Sequence, residues 1–409
     1  MRAAVTARAA ALPAAAAVLA LAVAPAALAV APPASASAAR AAGTSAPASL
    51  PSRAARLIVG GPQLAAPGTV VNYPAGKFPQ LPKVPASAYI IADATTGQVL
   101  AARDAHGEYA PASTLKVLTA ITLLPRLSPD AMVLATRQAA SVEPNDVGLI
   151  PGRRYAAANL FKALLLISAN DAAVALTQAT GSFATGMSLI NAEAQHLQAY
   201  DVVAKQPNGL PAAGQVVSAY DEALIARQAL ALPAFMHYDS MLAAKFRVKP
   251  RHWVTLVNQN ALLTQYRGGI GGKIGWTVKS KATYIGMARR NGVTLIVTVL
   301  HCTPLEEITA GEHLLNWGFA ADGRIRPVGT LVSALQPAAR RVTPAKVARP
   351  APGAAVHGSA APLGSAAEAR SGGDDAGLAV GAAVAAAAVF GLAGLARYRR
   401  RKAISGPGS

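Results

Sequence analysis

The stretch Pro111-Ala112-Ser113-Thr114-Leu115-Lys116 stands at the head of an apolar helical run, Val117 to Leu124, and it constrains the chain more than any other. Ser113 and Lys116 are three residues apart, which on a helix sets both side chains on one face, one turn from each other. A serine hydroxyl is a poor nucleophile until a base takes its proton. A lysine amine within hydrogen-bond reach, desolvated enough for its pKa to fall, can be that base. The other segments are read by how they serve this pair.

The formal charge of +19 over 409 residues invites a nucleic-acid reading until it is located. Residues 83–326 hold 22 Lys+Arg and 16 Asp+Glu, a net of +6, and the flanks hold 16 basic and 3 acidic residues, a net of +13. The basicity therefore belongs mainly to tails. A nucleic-acid surface needs a basic stripe on the domain itself, and the sequence shows none. The single cysteine, Cys302, ends an apolar run and reads as a buried thiol; it excludes an intrachain disulfide. The seven histidines show no H-x-x-x-H or H-E-x-x-H spacing, so neither a metal nor a cofactor is expected.

Taken in order, residues 1–29 read as a secretory signal. Arg2 and Arg8 precede an apolar core from Leu12 to Val23, and Ala27-Leu28-Ala29 is one of two A-x-A cleavage sites. Residues 30–82 are rich in Ala, Pro, Ser and Gly and read as a linker. The domain is expected over 83–326. Ala88–Ala92 and Gln98–Ala101 form a hairpin turned at Gly97. Asn159–Ile167 is helical and breaks at Ser168-Ala169-Asn170, with Asp171 as the expected N-cap of a helix from Ala172 to Thr180. Residues 181–260 read as further helical runs, one opening at Ser218 and running through Ala231, with a turn at Pro207-Asn208-Gly209-Leu210. Two late strands, Tyr284–Ala288 and Val293–Leu300, are joined through Asn291-Gly292. Thr303-Pro304-Leu305-Glu306 reads as a capping box for a helix to about Trp317. This pattern predicts an α+β domain: one antiparallel sheet built from both ends of the chain and flanked by helices. Residues 327–375 read as a second linker. Residues 376–396 form a charge-free stretch long enough for a transmembrane helix, and 397–409 a basic tail that the positive-inside rule puts in the cytoplasm.

Ser113 and Lys116 form the only S-x-x-K of the chain, Ser168 and Asn170 its only S-x-N, and Lys273 and Gly275 its only K-x-G. In this order and at these separations the set resembles the three motifs of the penicillin-recognising serine acyl-transferases. Together with Thr95-Thr96-Gly97, Pro207-Asn208-Gly209-Leu210 and the glycine-rich approach to Lys273, it resembles the D-alanyl-D-alanine carboxypeptidases among the low-molecular-weight penicillin-binding proteins. The resemblance implies the penicillin-binding protein/β-lactamase-like transpeptidase fold. It also implies a serine peptidase acting on peptidoglycan stem peptides, with β-lactams as covalent inhibitors. It gives Ser113 the role of nucleophile, Lys116 that of general base and Ser168 that of proton relay. Asn170, Lys273, Gly275, Trp276 and Thr277 are left to bind substrate, and the backbone N–H groups of Ser113 and Trp276 to form the oxyanion hole.

The departure is Ile274, where the family usually has a threonine or serine whose hydroxyl binds the substrate carboxylate. One such bond to a charged group is worth about 1.5–3 kcal/mol. Thr277 is the residue expected to supply a hydroxyl in its place. Two other readings share the same residues. One is a serine β-lactamase, with Glu143 as the acid nearest to a deacylating role. The other is a binding protein without turnover, in which Ile274 marks a decayed third motif.

Overall fold

The computed structural model describes residues 58–336. The predicted signal, most of the first linker, the charge-free segment 376–396 and the basic tail lie outside the described residues. Among the described residues no helix is long and apolar enough to cross a membrane.

The chain opens with a 3₁₀ turn, Pro62–Ala65, and then β1 (Thr69–Val71), β2 (Ala86–Asp93) and β3 (Gln98–Arg103). A second 3₁₀ turn, Ala112–Thr114, runs into α1 (Leu115–Leu123). β4 (Met132–Leu134), α2 (Arg137–Ala140) and β5 (Arg154–Ala156) lead to α3 (Ala157–Leu166), α4 (Asn170–Gln178) and α5 (Phe183–His196). After a long loop come α6 (Ala219–Ala231), α7 (Pro233–Asp239), the hairpin β6 (Ala243–Lys249) and β7 (His252–Val257), and α8 (Leu262–Gln265). The chain closes with β8 (Gly269–Thr277), β9 (Lys281–Arg290), β10 (Val293–Cys302), α9 (Glu307–Ala321) and β11 (Gly329–Thr330).

The main sheet has the order β1-β3-β2-β10-β9-β8, with β11 also on β3, and its pairings are antiparallel. It joins the early hairpin to the late strands through β2 and β10, with Ile90 opposite Thr298 and Ala92 opposite Ile296. The strands are apolar on both faces because both faces are covered. Ile90, Ile296 and Leu300 pack with α1 and α6, whereas Ile91, Val297 and Tyr284 pack with Leu314 and Leu315 of α9. Burying one such aliphatic side chain is worth about 1.5–3 kcal/mol. The Asn291-Gly292 turn has φ of 49° and 83°, the left-handed pair that a tight hairpin needs.

Several expectations change. Residues 58–82 are part of the domain, not a linker: β1 pairs with β3, Leu64 is buried, and Phe78 packs edge-on against Trp317. The domain also runs past 326, since Val328 and Leu331 are buried beside β11. The capping box at Thr303 does not form. The Thr303 N–H is spent on the Pro85 carbonyl at 3.0 Å, prolonging the β2–β10 contact, and α9 starts at Glu307. Residues 243–257, which carry no assigned element among the helical runs expected over 181–260, make a two-stranded hairpin: an alternating pattern of exposed basic and packed apolar residues is a strand pattern.

One loop holds the nucleophile's turn from behind. Gly209 has φ +80°, and a Cβ there would lie 1.6 Å from the Ala112 carbonyl oxygen. Gly209→Ala is therefore expected to displace the Ala112–Thr114 turn. The measurement is thermal melting together with acylation by a labelled penicillin; a variant that melts and acylates like the parent would contradict this packing.

Candidate active site

Ala112 enters the turn at φ +48°, a left-handed conformation unusual for alanine, with its side chain fully buried. This tight entry sets Ser113 at the mouth of α1, half-buried and open to solvent, while Lys116 one turn on is wholly enclosed. The Lys116 Nζ lies 2.8 Å from Ser113 Oγ, 2.7 Å from Asn170 Oδ1 and 2.7 Å from the Asn208 carbonyl. Protonated, the amine donates to all three; deprotonated, it keeps two N–H bonds to Asn170 and Asn208 and turns its lone pair to the Ser113 hydroxyl. Burial holds the Lys116 pKa well below the ordinary lysine value, and the charge of Lys273 lowers it further, against a smaller pull from Asp171.

Ser168 and Asn170 come from the turn between α3 and α4. Ser168 takes φ +61°, and its hydroxyl is buried without a hydrogen-bond partner. Asn170 opens α4, and its amide donates to the Glu143 carbonyl at 2.8 Å, which fixes its oxygen toward Lys116. The Glu143 side chain is exposed. Asp171 is not the helix N-cap; that position is Ala169. Its buried carboxylate instead accepts the backbone N–H groups of Val147, Gly148 and Leu149 at 2.9–3.2 Å, tying the loop that supplies Glu143 and Asn145 to α4. Burial raises its pKa, and these N–H groups pull it back down.

The third motif lies on β8, an edge strand of the main sheet. Gly275 faces the serine turn. A Cβ at Gly275 would sit 2.6 Å from the Ser113 nitrogen and 2.5 Å from Thr283 Oγ1, so only glycine lets the strand approach this closely. Lys273 is buried, and its Nζ donates to the Ile274 carbonyl at 2.7 Å. Burial lowers its pKa to about 7, and the negative charge of Asp239 opposes this. Asp239, buried at the end of α7, accepts the Gly272 N–H at 2.6 Å and is raised by burial to about 7. Ile274 lies on the alternate side of the strand, half-buried against the α9 core cluster. Trp276 is half exposed. The Thr277 hydroxyl is engaged in its own turn, 2.7 Å from Ser280 Oγ and 2.9 Å from the Ser280 N–H, so it is not a free replacement for the hydroxyl missing at 274.

Three parts of this environment were missed in the sequence. The Asn208 carbonyl is backbone, and only its turn was legible. Asp239 belongs to none of the sequence motifs. Glu222, fully buried on α6, contacts Thr114 Oγ1, the neighbour of the nucleophile, through its Oε1. Thr114 Oγ1 also lies 2.6 Å from the Pro111 carbonyl, and one hydroxyl hydrogen cannot serve both acceptors. A protonated Glu222 donating to Thr114, which then donates to Pro111, would resolve this conflict, with the second Glu222 oxygen buried and without a partner. Burial raises the Glu222 pKa to about 8, offset only in part by Thr114. Elsewhere, His106, Asp201 and Asp221 converge within 4.8 Å. The two ring nitrogens of His106 face Asp201 Oδ2 at 2.7 Å and the Val59 carbonyl at 3.0 Å, so the imidazole ties the entering chain to the domain and has no nitrogen left for a metal.

The Glu222 geometry carries a signed pH dependence. Its carboxyl titrates higher folded than unfolded, so between about pH 4.5 and about 8 the folded state binds more protons and stability falls as pH rises. Glu222→Gln keeps a donor toward Thr114 and cannot ionise. It is expected to gain about 2–4 kcal/mol relative to the parent between pH 5 and pH 8. Urea unfolding at the two pH values measures this; an equal effect at both would show that Glu222 titrates normally.

With this geometry in hand, the comparisons are specific. The family model described as D-alanyl-D-alanine carboxypeptidase matches residues 75–303. A D-alanyl-D-alanine carboxypeptidase of Mycobacterium tuberculosis is 37% identical over 253 residues, covering 60% of this chain and 86% of the relative. One from Bacillus subtilis is 26% identical and covers 58% of this chain and 62% of its own length. Among solved structures, a D-alanyl-D-alanine carboxypeptidase from M. tuberculosis superimposes with a TM-score of 0.60 at 35% identity, covering 65% of this chain and all of that one. A mutant of the Streptomyces K15 DD-transpeptidase gives 0.56 at 25% identity, over 58% of this chain and 99% of that one.

Proposed function

Since the chain belongs to the D-alanyl-D-alanine carboxypeptidase family, we propose that Ser113 and Lys116 carry out its reaction, removal of the terminal D-alanine from peptidoglycan stem peptides. The observation that carries this assignment is the buried Lys116 Nζ, 2.8 Å from Ser113 Oγ and oriented by Asn170 and Asn208. Lys116 takes the serine proton as Ser113 Oγ attacks the carbonyl of the penultimate residue. The oxyanion rests on the backbone N–H groups of Ser113 and Trp276, supported by the close approach of β8 to the serine turn. As the tetrahedral intermediate collapses, the C–N bond breaks. The leaving D-alanine takes a proton through the Ser168 hydroxyl, with Lys273 beside it. Water then attacks the acyl carbonyl as Lys116 accepts its proton; the ester C–O bond breaks, Lys116 returns the proton to Ser113 Oγ, and the shortened peptide leaves with a free carboxyl group. Asn170, Lys273, Gly275, Trp276 and Thr277 line the path of the peptide, and a cation at Lys273 suits a free C-terminal carboxylate. β-Lactams acylate the same hydroxyl.

The domain acts outside the cytoplasmic membrane in this reading. The support is sequence order: the leader-like residues 1–29, the charge-free residues 376–396, and the basic cluster from Arg397 to Lys402 that follows.

Mass spectrometry after exposure to penicillin, with D-alanine assayed separately on a D-Ala-D-Ala pentapeptide, tests the assignment. The expected result is one penicilloyl adduct on Ser113, lost with D-alanine release in Ser113→Ala; an adduct elsewhere would overturn it. Ile274 turns from the serine toward the α9 core cluster, so Ile274→Thr is expected to leave D-alanine release essentially unchanged. A gain of roughly ten-fold, the value of one bond to a charged group, would show instead that a hydroxyl at 274 reaches the substrate carboxylate.

A further inference from the structure

The β6–β7 hairpin carries a charge pattern that the chemistry of the cleft does not use. Its residues 243–257 include Lys245, Arg247, Lys249 and Arg251 and no acidic residue. The net charge of residues 83–326 is +6, so these 15 residues hold most of it. The sequence alone showed no basic stripe because the four cations are separated by apolar residues. Strand alternation gathers them. Lys245, Arg247 and Lys249 are exposed on one face of β6, while Phe246 turns inward and stacks on Tyr155. Across the pair, Arg247 stands opposite Trp253 and Lys245 opposite Thr255. Trp253 is 56% exposed, with the Arg247 guanidinium 5.7 Å from its ring.

The root of this hairpin adjoins the second motif. The Gln259 N–H donates to the Leu166 carbonyl at 3.0 Å, two residues before Ser168. Tyr155 Oη donates to the Val248 carbonyl at 2.9 Å, and Asn258 ties the root to α7 at the Asp239 carbonyl, 2.9 Å away. The hairpin is therefore fixed relative to the cleft, on the S-x-N side.

We propose that the outer face of β6–β7 is a docking surface for the carboxylate-bearing glycopeptide polymer whose stem peptides enter the cleft. This rests on the peptidase reading above. Four unopposed cations complement a polymer with repeated carboxylates. An exposed indole offers an amphipathic face for sugar or peptide. Beside Trp253 the face exposes Lys245, Arg247, Lys249 and Thr255, and its other large exposed apolar residues, Leu242 and Val257, lie at the root of the hairpin. A strand bound there passes the Ser168 turn, so docking raises the local concentration of stem peptides at Ser113 without touching the chemistry.

The test is co-sedimentation of the protein with insoluble peptidoglycan freed of attached polymers, across a salt series. It is paired with turnover of a short soluble D-Ala-D-Ala peptide. Lys245→Gln, Arg247→Gln, Lys249→Gln and Arg251→Gln combined are expected to weaken polymer binding about ten-fold and to leave short-peptide turnover unchanged. Parent protein is expected to bind less as salt rises, and to lose binding to polymer whose carboxyl groups have been converted to amides. This last arm holds even where the combined variant fails to fold. Equal binding to native and amidated polymer would overturn the proposal. So would preferential binding to phosphatidylglycerol vesicles, which would make the face a membrane contact. Polymer binding of this kind without any D-alanine release would instead sink the peptidase reading and leave the docking face standing.

Discussion

The burial of Lys116 is the constraint on which the rest depends. Burial lowers the pKa of a lysine amine, which fits it to act as a base. That burial is tolerable only because the amine's hydrogen-bonding capacity is filled from three directions: Ser113 on its own helix turn, Asn170 at the start of α4, and the Asn208 carbonyl from the loop before α6. None of these elements makes the site alone. The helical half brings two of them to one point, and the sheet brings β8 with Lys273 and Gly275 against the serine turn.

A layer of buried carboxyl groups supports this centre. Glu222 braces the serine turn through Thr114, Asp171 gathers the loop at Val147–Leu149, and Asp239 holds the backbone one residue ahead of Lys273. Each is raised by burial and then partly recovered by the N–H, hydroxyl or charge it meets. Charge links Lys116 to Lys273 and Asp171, and Lys273 to Asp239, so these groups do not gain or lose protons independently.

The sheet, its antiparallel order and the three motifs were legible because they depend on local patterns. Asn291-Gly292 dictates a tight turn, Ser218 caps α6 as its side chain requires, and the paired Ser113 and Lys116 need only helical spacing. What was illegible depended on long-range spending of backbone groups. Thr303 looked like a cap, but its N–H was already committed to Pro85. Asp171 looked like a cap too, but apart from the adjacent Ala172 N–H the groups it meets lie more than twenty residues earlier. The Thr277 hydroxyl looked available until the fold placed Ser280 against it. The basic face of β6–β7 was invisible in composition because alternation in space, not adjacency in sequence, assembles it.

Both ends of the described chain return to the same edge of the sheet. Thr330 on β11 donates to the Gly60 carbonyl at 2.8 Å, and both β1 and β11 pair with β3. The cleft lies at the far edge, beyond β8, four strand spacings from β3. At about 4.8 Å per spacing, that separates the ends from the reacting serine by roughly 19 Å of rigid sheet. The described chain therefore enters and leaves the domain at one place, and whatever is joined to it there is joined four strands away from the serine that Lys116 serves.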